Sequence, residues 1–241
     1  MLDLEFEVNP RYTVLYAFGF RKEPIVSEEL QNKIKNKNKY FHRYLKGRNN
    51  EIVLDGKEEL NFEEEWKSLL KEEEVKKTIE ETEEFKKKIE KDWNENKEKA
   101  LKLLKKLSGL ELPDENIKVY ITHPEQPNGR WHKELKCITW GPRDKYPLYS
   151  VRYLCHELLH FLTNRYKKER GKTVSEQDKV MHAIIELTDF KIHQELTGER
   201  KEEGHEYLDE VKEKIKPKWE KYLEKDTHEN IVELAESIEV N

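Results

Sequence analysis

The sequence predicts an α+β fold that is predominantly helical. Apolar residues recur at threes and fours through most of the chain, the period of a buried helix face. Convincing strand alternation is confined to residues 117–140, enough for one small sheet. Capping residues, glycines and prolines fall at the ends of the helical stretches, where each has a physical reason to be.

In chain order, Leu2 to Val8 alternate briefly between apolar and polar. Asn9-Pro10 reads as an N-cap followed by proline at the first helical position. Tyr12, Leu15, Tyr16 and Gly19 then fit a short helix ending at glycine, with a strand over Tyr12 to Phe20 as the alternative. Ser27 caps a helix expected over Glu28 to Leu45, and Gly47 to Asn50 break it. Residues 51–60 read as a connection with Asp55-Gly56 as its turn. From Asn61 to about Ser108 the chain is expected to be helical, its charge runs forming solvated faces with i,i+4 ion pairs.

Gly109 ends that helix, and Pro113-Asp114 mark a turn. Ile117 to Thr122 and Leu135 to Trp140 read as two strands of a hairpin with a long loop. Ser150 caps a helix expected to reach about Tyr166, and Gly171 follows it. Ser175 to Asp178 resemble a capping box opening a helix to about Leu196, with Gly198 past its end. A further helix is expected over Gly204 to Leu223, bent at Pro217, and a last one from Thr227 to near Val240. The division expected is an N-terminal charged helical region, 1–84, and a second domain, 85–241.

Charge and cysteine usage narrow the classes. In 241 residues, 46 Lys+Arg stand against 51 Asp+Glu. A net charge of -5 gives no footprint for nucleic acid. No stretch approaches 18 consecutive apolar residues, so no membrane span is expected. Two cysteines, Cys137 and Cys155, make no disulfide framework. Met1 to Glu5 lack the basic and apolar regions of a secretory signal, so a cytoplasmic protein is expected.

The chemistry centres on Tyr153 to Leu162, which contain His156-Glu157-Leu158-Leu159-His160. Residues four apart share a helix face, so the two imidazoles converge on one point, as a zinc site requires. Glu157 lies roughly 100° round the helix from His156, beside that point. A shuffled chain of this composition would contain the pattern roughly 0.06 times, and the apolar flanks sharpen it further. A catalytic zinc needs a third protein ligand. The helix after Ser175 carries His182, Glu186, Asp189 and His193 on one stripe.

These residues resemble the gluzincin branch of the zincin metallopeptidases. In that family a second helix donates a glutamate ligand, and an acidic residue one turn further on orients a histidine ligand. Here 25 residues separate His160 from Glu186-Leu187-Thr188-Asp189. The family also places a peptide-binding edge strand before the motif helix, where Cys137 to Trp140 stand. The likeness covers roughly Ile117 to Leu196. Asp189 is three residues after Glu186, whereas the family's usual spacing is four. The metzincin pattern is absent, since Phe161 to Tyr166 contain neither its histidine nor its glycine.

The resemblance implies a zincin-like core, with a small sheet preceding the motif helix, and one Zn²⁺ per chain. Its ligands would be His156, His160 and Glu186, with His182 the rival for third place. Glu157 would be the general base and Asp189 the partner of a ligand histidine. A Tyr or His donor to the oxyanion is also implied, for which His193, His205 and Tyr207 are candidates. The expected activity is hydrolysis of a peptide or protein. The alternative is a metal-binding protein with a vestigial site, its helices serving as an interaction module.

Overall fold

The computed structural model describes residues 2–19, 24–47, 62–126, 129–172, 178–224 and 228–238. The fold is α+β and predominantly helical, with one four-stranded sheet. The chain divides into two compact units, and neither is a single continuous segment. One comprises residues 4–91 and 117–143; the other comprises 1–3, 92–116 and 144–241. This differs from the cut expected at 84/85. The N-terminal strand pairs with a strand that begins at Asn116, so residues far apart in sequence share one sheet.

The first unit contains the sheet. Its strands are β1 (Asp3–Glu7), β2 (Asn116–Ile121), β3 (Arg130–His132) and β4 (Cys137–Trp140), in the order β1-β2-β4-β3. The expected hairpin is corrected here. β2 and β4 pair in parallel, Lys118 opposite Cys137 and Ile121 opposite Trp140. The short β3 reverses the chain first and forms the antiparallel partner of β4, His132 opposite Cys137. A three-residue strand carries too little alternation to be read from sequence.

Among the described residues, four helices accompany it: α1 (Pro10–Ala17), α2 (Glu28–Lys37), α3 (Lys39–Leu45) and α4 (Glu63–Leu69). Asn9 caps α1 by accepting from the Tyr12 amide, and Gly19 follows its end at φ +86°. The helix expected here therefore holds over the strand alternative. The single helix expected over 28–45 is two, because Asn38 is extended at φ -151°. Its Oδ1 accepts from the Tyr40 and Phe41 amides at 3.0 and 3.1 Å, and its Nδ2 donates to Glu65 at 2.8 Å. A residue that caps this well competes with continuation of the helix. Asn38→Ala is expected to destabilise the protein by about 1 kcal/mol, read by chemical denaturation. No change at all would mean that the cap contributes nothing. The unit's core gathers Leu15, Phe18, Phe41, Trp66 and Leu69, with Trp66 edge-on to Phe41 at 5.2 Å. The Asp55-Gly56 turn lies outside the described residues.

Helix α5 (Glu73–Ser108) is 36 residues long and contributes to both units. The continuous helix expected from Asn61 is interrupted between Leu69 and Glu73.

The second unit is helical: the end of α5, then α6 (Tyr149–Glu169), α7 (Lys179–Thr197), a 3-10 turn (Glu206–Leu208), α8 (Asp209–Leu223) and α9 (Ile231–Glu236). Helix α6 packs on α7, and α7 on α8. Trp219 of α8 donates to Thr188 at 3.3 Å, and Tyr222 donates to the Leu107 carbonyl at 3.1 Å. The last helix is capped by Asn230 and ends at Glu236 rather than near Val240. The caps expected at Ser175 and Thr227 lie outside the described residues; Asp178 accepts from the Met181 amide and caps α7. No described helix is long and apolar enough to cross a membrane.

Candidate metal centre

Every residue of the candidate site lies in the helical unit. Helix α6 begins one residue before the serine expected to cap it. Leu148 precedes it in the left-handed region at φ +57°, and Ser150 is already inside. The Ser150 amide and hydroxyl both donate to Asp144 Oδ1, at 2.9 and 2.6 Å, which ties down the first turn. The helix then presents Arg152, His156 and His160 at intervals of four on one face.

The two motif histidines aim their Nε2 atoms at each other, 3.1 Å apart. Asp189 of α7 takes the other nitrogen of His156, its Oδ2 lying 2.6 Å from Nδ1. A carboxylate accepts only, so Nδ1 carries a proton, and neutral His156 keeps its Nε2 lone pair facing His160. His182 completes a group: one ligand atom from each of His156, His160 and His182 lies within 4.8 Å of the others. His182 sits two turns before Asp189, which is why one face of α7 supplies both.

Burial favours the neutral imidazole at His160 and His182. Burial, then the neighbouring imidazoles, hold His160 well below the ordinary histidine pKa. The same causes lower His182 to about 4. His156 is shifted the other way: burial opposes its charged form, but the Asp189 hydrogen bond and charge outweigh it.

Glu186 belongs to a different set of contacts. Its Oε1 accepts from the His205 amide at 2.8 Å and from His205 Nδ1, and its Oε2 accepts from Lys212 Nζ at 2.9 Å. Burial would raise its pKa, yet the His205 and Lys212 hydrogen bonds hold it at about 2. With His182 and His205 it makes a second group of converging ligand atoms. Glu157 is buried on α6, and its charge bears on His156.

The three candidate donors are placed differently. His193 is buried with Nε2 2.9 Å from the Pro147 carbonyl and its ring against Tyr146, so it serves the loop before α6. His205 has its ring 4.8 Å from that of His182. Tyr207 is exposed, with its hydroxyl 3.2 Å from His182 Nδ1.

Sequence reasoning missed Arg152 and Lys212. Arg152 is 1% exposed; its Nε donates to Asp189 Oδ1 at 2.7 Å, and its Nη2 to the Glu203 carbonyl at 2.8 Å. Its signal was available: an arginine one turn before His156 on a largely apolar helix. Lys212 had none, being one lysine among many on an amphipathic helix.

No family model, curated protein or solved structure matches the chain.

The residues suit a metal on their own chemistry. His182 Nε2 is buried and has no hydrogen-bond partner among the described residues. An unpaired buried nitrogen costs stability unless a ligand takes it. Three imidazoles are also an established donor set for catalytic zinc.

Proposed function

We propose that this chain is a zinc-dependent hydrolase of peptide bonds, with His156, His160 and His182 holding the metal and Glu157 acting as general base. The observation that carries the reading is the convergence of three imidazoles, one of which, His182, has a buried Nε2 with no hydrogen-bond partner among the described residues. Zinc bound there supplies a Lewis acid that polarises a carbonyl and acidifies water. The chain's own residues do the rest. Asp189 keeps the Nδ1 proton on His156 and so presents its Nε2 lone pair. The Tyr207 hydroxyl oxygen can accept a hydrogen bond from His182 Nδ1–H and so present that ring in the same sense. Glu157 takes a proton from the attacking water and returns it to the leaving amine. The peptide specificity rests on the gluzincin resemblance, and His205 and Tyr207 are the nearest candidates for donors to the developing oxyanion. The two cysteines are free and buried, which suits a reducing cytoplasm.

Metal analysis of the purified protein tests this, followed by cleavage of unfolded casein with and without a zinc chelator. One zinc per chain is expected, with hydrolysis lost on chelation and restored by zinc. Zinc without any hydrolysis would overturn the peptidase reading and leave a metal-binding interaction module.

A further inference from the structure

We propose that Lys212 decides the donor set of the metal centre: it retains Glu186 as a counter-ion and so leaves the third ligand position to His182. The inference rests on the metal-site reading above.

One carboxylate has a limited capacity for donors. Two oxygens offer about four acceptor sites. Three of those on Glu186 are taken, two by the amide and Nδ1 of His205 and one by Lys212. The surroundings hold it there. Glu186 is 1% exposed. Gly204 allows the close approach of the loop, since a Cβ at that position would come within 2.7 Å of Glu186 Cδ. The loop is itself anchored, because Arg152 Nη2 donates to the Glu203 carbonyl.

Lys212 is equally constrained. It is buried in α8, with Asp209 Oδ1 at 2.8 Å and the Phe190 ring at 5.3 Å. An ammonium beside a carboxylate competes with a dication for the same charge. Parting the two would cost the buried Glu186 carboxylate its ammonium partner, so the pair persists as a unit. His182, one turn earlier on α7, has the opposite status: its Nε2 is buried and without a hydrogen-bond partner among the described residues. A ligand-hungry imidazole thus stands one turn from a satisfied carboxylate, and Lys212 supplies the difference.

Zinc affinity by competition with a chelating dye, together with zinc-edge X-ray absorption, reads this out without any assay of activity. The wild type is expected to show three imidazoles. The double variant Glu186→Gln/Lys212→Met removes both charges together; it should keep that signature and bind zinc within about threefold of the wild type, well short of the 10–100-fold that losing a partner of a ligand costs. Lys212→Met alone should release the carboxylate to the metal, adding an oxygen ligand and raising affinity about tenfold, the scale on which groups around a site tune it. A double variant that loses tenfold or more in affinity overturns the inference, because Glu186 would then be a ligand. Unchanged affinity and spectrum in Lys212→Met overturn it as well. If that single variant does not fold, the double variant decides alone. Wild-type protein that holds no zinc defeats the underlying reading of the site; wild-type protein that holds zinc by two imidazoles and a carboxylate defeats this inference, and the His182 assignment with it, while the zinc hydrolase reading stands.

Discussion

Glu157→Gln should retain zinc and lose hydrolysis by about 10²–10⁴-fold, the range that general acid–base catalysis supplies. The substitution is nearly isosteric, so the buried turn around residue 157 keeps its volume. It removes the one property the reaction needs, a carboxylate able to take a proton and give it back. Glu157 is not among the groups of converging ligand atoms, so metal content should stay at the wild-type level. The two measurements belong together. Cleavage at the wild-type rate would end the general-base assignment. Loss of zinc along with activity would make Glu157 part of the metal's support instead, and the chemistry would need another base.

Local signals in the sequence were legible where neighbours in the chain decide the outcome. Asn9-Pro10 starts a helix because both residues act on the turn they begin. The His156/His160 spacing places two imidazoles together because four residues make about one turn. Asp189 reaches His156 although it stands three residues after Glu186, because residues three and four along share a face.

Distant partners decided the rest. The parallel pairing of β2 and β4 depends on a strand of three residues between them. The break at Asn38 depends on side-chain hydrogen bonds to the amides of the next turn, and on Glu65 from another helix. On the stripe His182, Glu186, Asp189, spacing alone cannot rank ligands. Glu186 differs from its neighbours on that stripe in its contact with Lys212, which comes 26 residues later and donates to its carboxylate. A buried counter-ion of this kind leaves no periodic trace.

Arg152→Met is expected to cost about 3–5 kcal/mol in stability, the scale for breaking a buried ion pair by removing one partner. Arg152 and Asp189 are 1% and 0% exposed, and the guanidinium also binds Tyr146 and the Glu203 carbonyl and lies over the Phe190 ring at 4.4 Å. Methionine replaces the packing of the stem but leaves the Asp189 charge facing His156 Nδ1 at 2.6 Å without its guanidinium. Adding Asp189→Asn to that variant removes the stranded charge, so part of the lost stability should return. Zinc affinity should not return with it. Asparagine can still accept from His156 Nδ1, but a neutral amide polarises the imidazole less, and weakening such a partner typically costs 10–100-fold in metal affinity. Denaturation and zinc competition on the single and double variants therefore move in opposite directions if Asp189 both neutralises Arg152 and orients His156. Parallel recovery of both quantities would show that Asp189 serves only the ion pair.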